Sequence, residues 1–176
     1  CGMPWYGILI RLPLKVLYIF AEGEGGELQD KIKRAFAKYR NANLDNVGFR
    51  YVPELNLDTA RGKTALEAFI RSLPWEPDVI FLDPYRACVE GDENKTETAK
   101  KFTDNVATLN YRWVIIHHRA KPSKESQSRS LGEMIRGSGS LGQWAHTLVG
   151  YFPKGESKGD PVEIMFKSRS PQPDSF

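Results

Sequence analysis

Short continuous apolar runs alternate along this chain with stretches of helical period, and that alternation leaves few folds open. The run KVLYIFAE (15–22) carries no charge between Lys15 and Glu22. A strand with one wet face would alternate, so an unbroken run suits a strand covered on both sides. VGFRYVP (47–53), DVIFLDP (78–84) and RWVIIHH (112–118) read as three more strands. Between them, GELQDKIKRAFAKYR sets Leu28, Ile32, Ala35, Phe36 and Tyr39 on one helical face. DTARGKTALEAFIRSLP reads as a helix capped by Asp58 and stopped before Pro74. NKTETAKKFTDNVATLN reads as a third helix, capped near Asn94 or Thr96. A polar, Ser-rich loop over 119–135 and a helix over about 138–145 follow. HTLVGYF and PVEIMFKSRS, separated by PKGESKGD, then form an antiparallel hairpin. The order predicts an α/β three-layer sandwich, its sheet mostly parallel with an antiparallel edge from the C-terminal hairpin.

Composition narrows the class. A chain of 176 residues suits one domain with a real core, spanning 1–176. The net charge of +3 permits nucleic-acid contact without announcing it. Cys1 and Cys88 make no disulfide framework and read as reduced thiols of a cytoplasmic protein. No apolar run reaches the ~18 residues of a membrane span, and no signal peptide is visible. Asn94-Lys95-Thr96 fits a glycosylation sequon, discounted because nothing suggests secretion.

In doubly wound sheets, ligands bind outside the carboxyl ends of the strands. The polar residues there are Glu22 after VLYIFA, Asp83 after VIFL, and His117-His118 after WVII. An acid after four apolar strand residues, as at Asp83, is the Walker B arrangement. It accepts hydrogen bonds from Mg²⁺-bound water and so holds the ion against nucleotide phosphates. The alternative is an acid capping the turn before Pro84. Glu22 suits a carboxylate that orients the water attacking a γ-phosphate. Its neighbours read as ordinary: Glu27 favours a helix N-terminus and Glu24 is solvated. Adjacent strand residues face opposite ways, so at most one of His117 and His118 points at a nucleotide, as a phosphate sensor. Two adjacent histidines cannot converge on one metal, so a zinc site is not expected.

Basic residues cluster after the histidines. Arg119, Lys121, Lys124 and Arg129 suit a single-stranded nucleic-acid backbone, or a merely solvated loop. Arg136, before the small residues of GSGS, reads as a phosphate ligand acting in trans or as a surface charge. Lys167 and Arg169 share one strand face. They suit either a finger reaching a neighbour's phosphates or a charged sheet edge.

Gly62-Lys63-Thr64 invites a phosphate-loop reading, but G-x-x-x-x-G-K-[ST] needs a glycine where Leu57 stands. The preceding residues are polar and contain Pro53, so no buried strand feeds the loop. Lys63 is expected to be a solvated helix residue.

Taken in order, VLYIFAEGE, VIFLDPYRACVEGDEN, WVIIHHRAKP, RGSGSLGQWAHTLVGYF and FKSRSP resemble the RecA-like ATPase core of hexameric replicative helicases of the RepA and DnaB type. The resemblance runs over essentially the whole chain. It implies ATP and Mg²⁺ as cofactors, single-stranded DNA as partner, and a ring of identical subunits with no membrane association. It implies that Glu22 positions water, that Asp83 holds Mg²⁺, and that His117 or His118 senses the phosphate. Arg136, Lys167 or Arg169 would act from the neighbouring subunit. The family's phosphate loop has no counterpart here and is expected upstream of Cys1. Without its strand, an apolar sheet edge is expected to lie open. Two other readings remain at this stage. One is a non-catalytic, degenerate RecA-like module binding DNA or protein. The other is a recombinase or KaiC-like ATPase.

Overall fold

The first apolar run becomes β1 (Val16–Phe20), and it sits inside the sheet rather than at its edge. In the computed structural model, residues 13–38, 44–119, 130–135, 137, 139–155, 157 and 159–169 are described. The other strands of the main sheet are β2 (Val47–Tyr51), β3 (Val79–Asp83) and β4 (Arg112–Ile115), in spatial order β2-β1-β3-β4. All pairs are parallel: Phe20 lies opposite Tyr51 on one side and Asp83 on the other. Parallel neighbours require crossovers. Helices α1 (Gly25–Lys38), α2 (Ala60–Ser72) and α3 (Thr96–Thr108) supply them. The sequence-predicted α/β layering with a mostly parallel sheet is the observed fold.

The two sheet faces are covered unequally. Leu17, Ile19, Ile80 and Leu82 are fully buried against α2 and α3, through Leu66, Ile70, Phe102 and Val106. Burying each such side chain contributes about 1.5–3 kcal/mol. The opposite face carries a row in strand register, Phe49–Tyr18–Phe81–Val114. Helix α1 covers part of it, with Phe36 edge-on to Phe49 at 6.0 Å and the Lys31 ammonium 4.3 Å from the Phe20 ring centroid. Only Leu28 of α1 is buried, while Ala35 is exposed. Tyr39 lies outside the described residues.

Several expectations change. β1 is buried on the α2/α3 side but only half-buried at Tyr18. β4 is not a buried strand. It forms the sheet edge among the described residues, and Val114 and Ile116 are 39% and 37% exposed. Among the described residues, the exposed apolar edge is thus at β4. Helix α4 (Gly139–Trp144) packs on α3 and puts Leu141 into the core. Strands β5 (Thr147–Pro153) and β6 (Val162–Ser168) pair antiparallel as a separate two-stranded sheet, not as an edge of the main one. Leu131 packs against Gly150 of β5, where a side chain on residue 150 would collide with it.

The caps also differ. Thr59, not Asp58, caps α2: its hydroxyl oxygen accepts from the Gly62 amide at 3.1 Å. Asp58 instead accepts from the Glu90 and Gly91 amides, both at 2.9 Å, tying the loop after β3 to the start of α2. Lys95 occupies the cap position of α3 without a side-chain bond, and Asp92 folds the preceding turn by accepting from Asn94. Gly62 is explained by packing, because a Cβ there would run into the Asn56 backbone. Lys63 is half-buried on α2 rather than fully solvated, and pairs with Glu67 at 3.9 Å.

Candidate functional site

The chain leaves β1 towards β2 on one side, then crosses back over β1 to form β3 on the other. Strand order therefore reverses between β1 and β3, the place where doubly wound sheets take their ligands, outside the carboxyl ends of the strands. Asp83 is the last residue of β3, and Glu22 follows β1 by two residues. The Ala21 amide donates to the Asp83 carbonyl at 2.9 Å, which locks the two strand ends together. A cis peptide joins Asp83 to Pro84. Beyond it the chain makes a 3-10 turn over Tyr85–Cys88, and the Tyr85 amide donates to the Ile116 carbonyl at 2.8 Å.

The two acids have different partners. The Asp83 carboxylate accepts a hydrogen bond from the Tyr18 hydroxyl. Glu22 lies 3.6 Å from Nε2 of His118, and both side chains are more than half exposed. Alternation along the strand separates the histidines. His118 joins Glu22 at the crevice, whereas the ring of His117 lies 5.0 Å from that of Tyr85, against the α3 side of the sheet. Tyr85 in turn meets Phe102 edge-on at 4.9 Å. Its hydroxyl is buried with no hydrogen-bond partner among the described residues. Burial first, then the carboxylates of Asp58 and Glu93, push that phenol up to about 12. Burial and then the Asp83 charge push the Cys88 thiol up to about 12, so it stays a neutral core residue.

Asp83 offers a single carboxylate. Among the described residues, no group of three or more His, Cys, Asp or Glu converges as a metal cage. One carboxylate suits Mg²⁺, which keeps several waters and takes its remaining oxygens from phosphates. The residues present therefore fit Mg²⁺ held together with a nucleotide, not by protein alone.

The remaining candidates lie elsewhere. Arg119 forms an isolated antiparallel bridge with Ile135, and its guanidinium lies 5.4 Å from the Phe152 ring centroid. Lys167 and Arg169 line a separate open cavity of about 400 Å³ with Glu133, Gln143 and His146. Lys121, Lys124, Arg129 and Arg136 lie outside the described residues. Sequence reasoning missed Tyr18, although it precedes Phe20 by two and so shares a sheet face with the strand-end acids. It also missed the Ser130–Glu133 capping box, which S-L-G-E spells out. Nothing in the sequence marked His146.

Two acids ending adjacent parallel strands at a reversal of strand order define a doubly wound α/β protein with its ligand crevice at that end. The family model described as AAA domain matches residues 1–124, and the chain belongs to that family. It is thus of the P-loop, nucleotide-binding ATPase type, in a family that includes helicase-like proteins. The match spans Glu22, Asp83 and both adjacent histidines and stops before the hairpin. A search of curated proteins gives no match. Among the described residues, no helix is long and apolar enough to cross a membrane.

Proposed function

We propose that this chain is the motor core of a ring-forming helicase-type ATPase, which hydrolyses ATP·Mg²⁺ between subunits and moves single-stranded DNA. What supports the reading is Asp83 ending β3 beside the end of β1, with Glu22 just past β1 lying 3.6 Å from Nε2 of His118. Glu22 orients the attacking water and takes its proton, acting as general base. Asp83 accepts from the waters around Mg²⁺, which supplies charge neutralisation on the phosphates when bound. His118, paired with Glu22, senses whether the phosphate is present. One of Arg136, Lys167 and Arg169 reaches a neighbour's nucleotide. Arg119, Lys121, Lys124 and Arg129 hold the DNA backbone.

In the full-length protein, Asp83→Ala abolishes ATP turnover, and Glu22→Gln lowers it by about 10²–10⁴-fold while nucleotide binding persists. Turnover retained in Asp83→Ala refutes the assignment. One observation favours a second reading, a non-catalytic RecA-like binding module: residues 1–176 contain no complete G-x-x-x-x-G-K-[ST] motif. Wild-type full-length protein that binds single-stranded DNA yet never turns over ATP would establish that reading instead. Strand exchange without unwinding would point to a recombinase.

A further inference from the structure

Asp83 does not stand alone at the strand end. Phe20 pairs with Asp83 and Tyr18 with Phe81, so Tyr18 lies diagonally behind the carboxylate on the same sheet face. Diagonal neighbours in a sheet are roughly 7–8 Å apart, within reach of an aromatic side chain. The Tyr18 hydroxyl closes that gap and donates to Oδ2 of Asp83.

The phenol is aimed by packing. Its ring stacks on Phe81 at 5.8 Å and 18°, and tilts on Phe49 at 6.0 Å and 43°. Phe49 is braced in turn by Phe36 of α1, edge-on at 85°. Three aromatic rings thus hold one hydroxyl against one carboxylate oxygen. A carboxylate on a bare strand end rotates freely about its terminal torsion, which is broad. One bound donor removes that freedom and leaves Oδ1 for other partners. Burial, reinforced by the hydrogen bond and charge of Asp83, holds the Tyr18 phenol well above the usual range, so it remains a donor.

We propose that Tyr18 is a positioning residue, fixing the Asp83 carboxylate so that one oxygen stays turned toward the crevice between β1 and β3, ready for hydrated Mg²⁺. The proposal rests on the reading of Asp83 as the Mg²⁺-side acid. It deepens that reading by giving the acid a fixed direction. Neither composition nor the Walker B pattern requires a tyrosine two residues from the end of the neighbouring strand.

Two measurements test it. The first needs no nucleotide and uses the full-length protein with ring-¹³C tyrosine, read by NMR at neutral pH. Asp83→Asn weakens the hydrogen bond from the Tyr18 hydroxyl, so the Tyr18 Cζ resonance moves from its wild-type position. A Tyr18 Cζ resonance that does not move overturns the contact. The second uses the full-length protein with ATP and counts bound Mn²⁺ from the free ion's EPR signal, alongside turnover against Mg²⁺ concentration. Tyr18→Phe keeps the ring stack and loses the donor. It is expected to raise the half-saturating Mn²⁺ and Mg²⁺ concentrations about 3–10-fold, with kcat at saturating metal within twofold of wild type. Superimposed metal curves for Tyr18→Phe, with Asp83→Asn inactive, overturn the role of Tyr18 and leave Asp83 standing. An Asp83→Asn protein that binds Mn²⁺ normally overturns the Asp83 reading itself. Loss of kcat in Tyr18→Phe with unmoved metal curves assigns the tyrosine to packing alone and also overturns the proposal.

Discussion

Replacing Asp58 by Ala tests how the loop after Asp83 is held. One carboxylate accepts two backbone amides, Glu90 on Oδ1 and Gly91 on Oδ2, both at 2.9 Å. A hydrogen bond to a charged group contributes ~1.5–3 kcal/mol net. Asp58 is only partly buried, and the freed amides can hydrate, so the low end applies to each bond. Asp58→Ala should then lower unfolding free energy by about 2–3 kcal/mol. With a urea m-value of about 2–3 kcal/mol/M, the midpoint falls by roughly 1 M. Asp58→Asn keeps one acceptor and turns its amide against the other N–H, so its loss is about half or slightly more. Urea denaturation followed by circular dichroism gives these values. Amide hydrogen exchange gives the location: Glu90 and Gly91 lose protection in Asp58→Ala, while Gly62 keeps it. Thr59→Ala does the reverse, deprotecting Gly62 at a cost of about 1 kcal/mol. If Asp58→Ala unprotects the first turn of α2 and leaves Gly91 untouched, Asp58 is a helix cap after all and the reasoning fails.

Two further outcomes follow from the core. Phe102→Ala removes a fully buried ring that meets Tyr85 edge-on, and should cost about 3–5 kcal/mol. In a chain of this size that lowers Tm by roughly 10 °C, and a loss of a degree or two in a thermal melt would contradict the packing. In a Cys1→Ser background, Cys88 should resist a thiol-specific disulfide reagent at pH 8 until urea unfolds the chain, because its thiol is buried and pushed up to about 12. The folded thiol ionises at higher pH than the unfolded one. Its contribution to stability is therefore present below pH ~9 and lost as pH rises from there to about 12. Cys88→Ala should flatten that part of the pH profile. A profile identical to that of the parent, or rapid native labelling, excludes the buried thiol.

The strands and crossover helices were legible because β1 and the body of β3 are unbroken apolar runs, the other strands of the main sheet are short apolar-rich stretches, and the helices repeat at 3.6 residues. The reversal point was legible too, through the acids that end VLYIFA and VIFL. What could not be read was pairing. The apolar run WVII gives no sign that β4 pairs on only one side among the described residues, because hydrophobicity reports what a residue would bury, not which neighbour arrives. The separation of the hairpin from the main sheet is likewise a tertiary fact, as HTLVGYF alternates as an edge strand would. Asp58 misled for a physical reason. Aspartate and threonine are both good caps, and only the arrival of Glu90 and Gly91 from 32 and 33 residues away decides which one serves the helix. The histidines separated as strand alternation requires, with His118 at Glu22 and His117 at Tyr85.

The central place of β1 has a consequence for how the chain becomes ordered. Its partner on one side is about thirty residues away, and on the other side the Lys15–Asp78 contact spans 63 residues. Parallel strands offer no local turn to close, so loop entropy must be overcome before either pairing is rewarded. The shorter closure joins β1 to β2 first. That leaves one flank of β1 unsatisfied until β3 arrives, bringing Asp83 with it. The β5–β6 hairpin needs only its own turn and can form without waiting. Pulse-labelled exchange during refolding should therefore find hairpin amides protected before those of β3, so that the crevice carrying both acids is among the last parts of the molecule to exist.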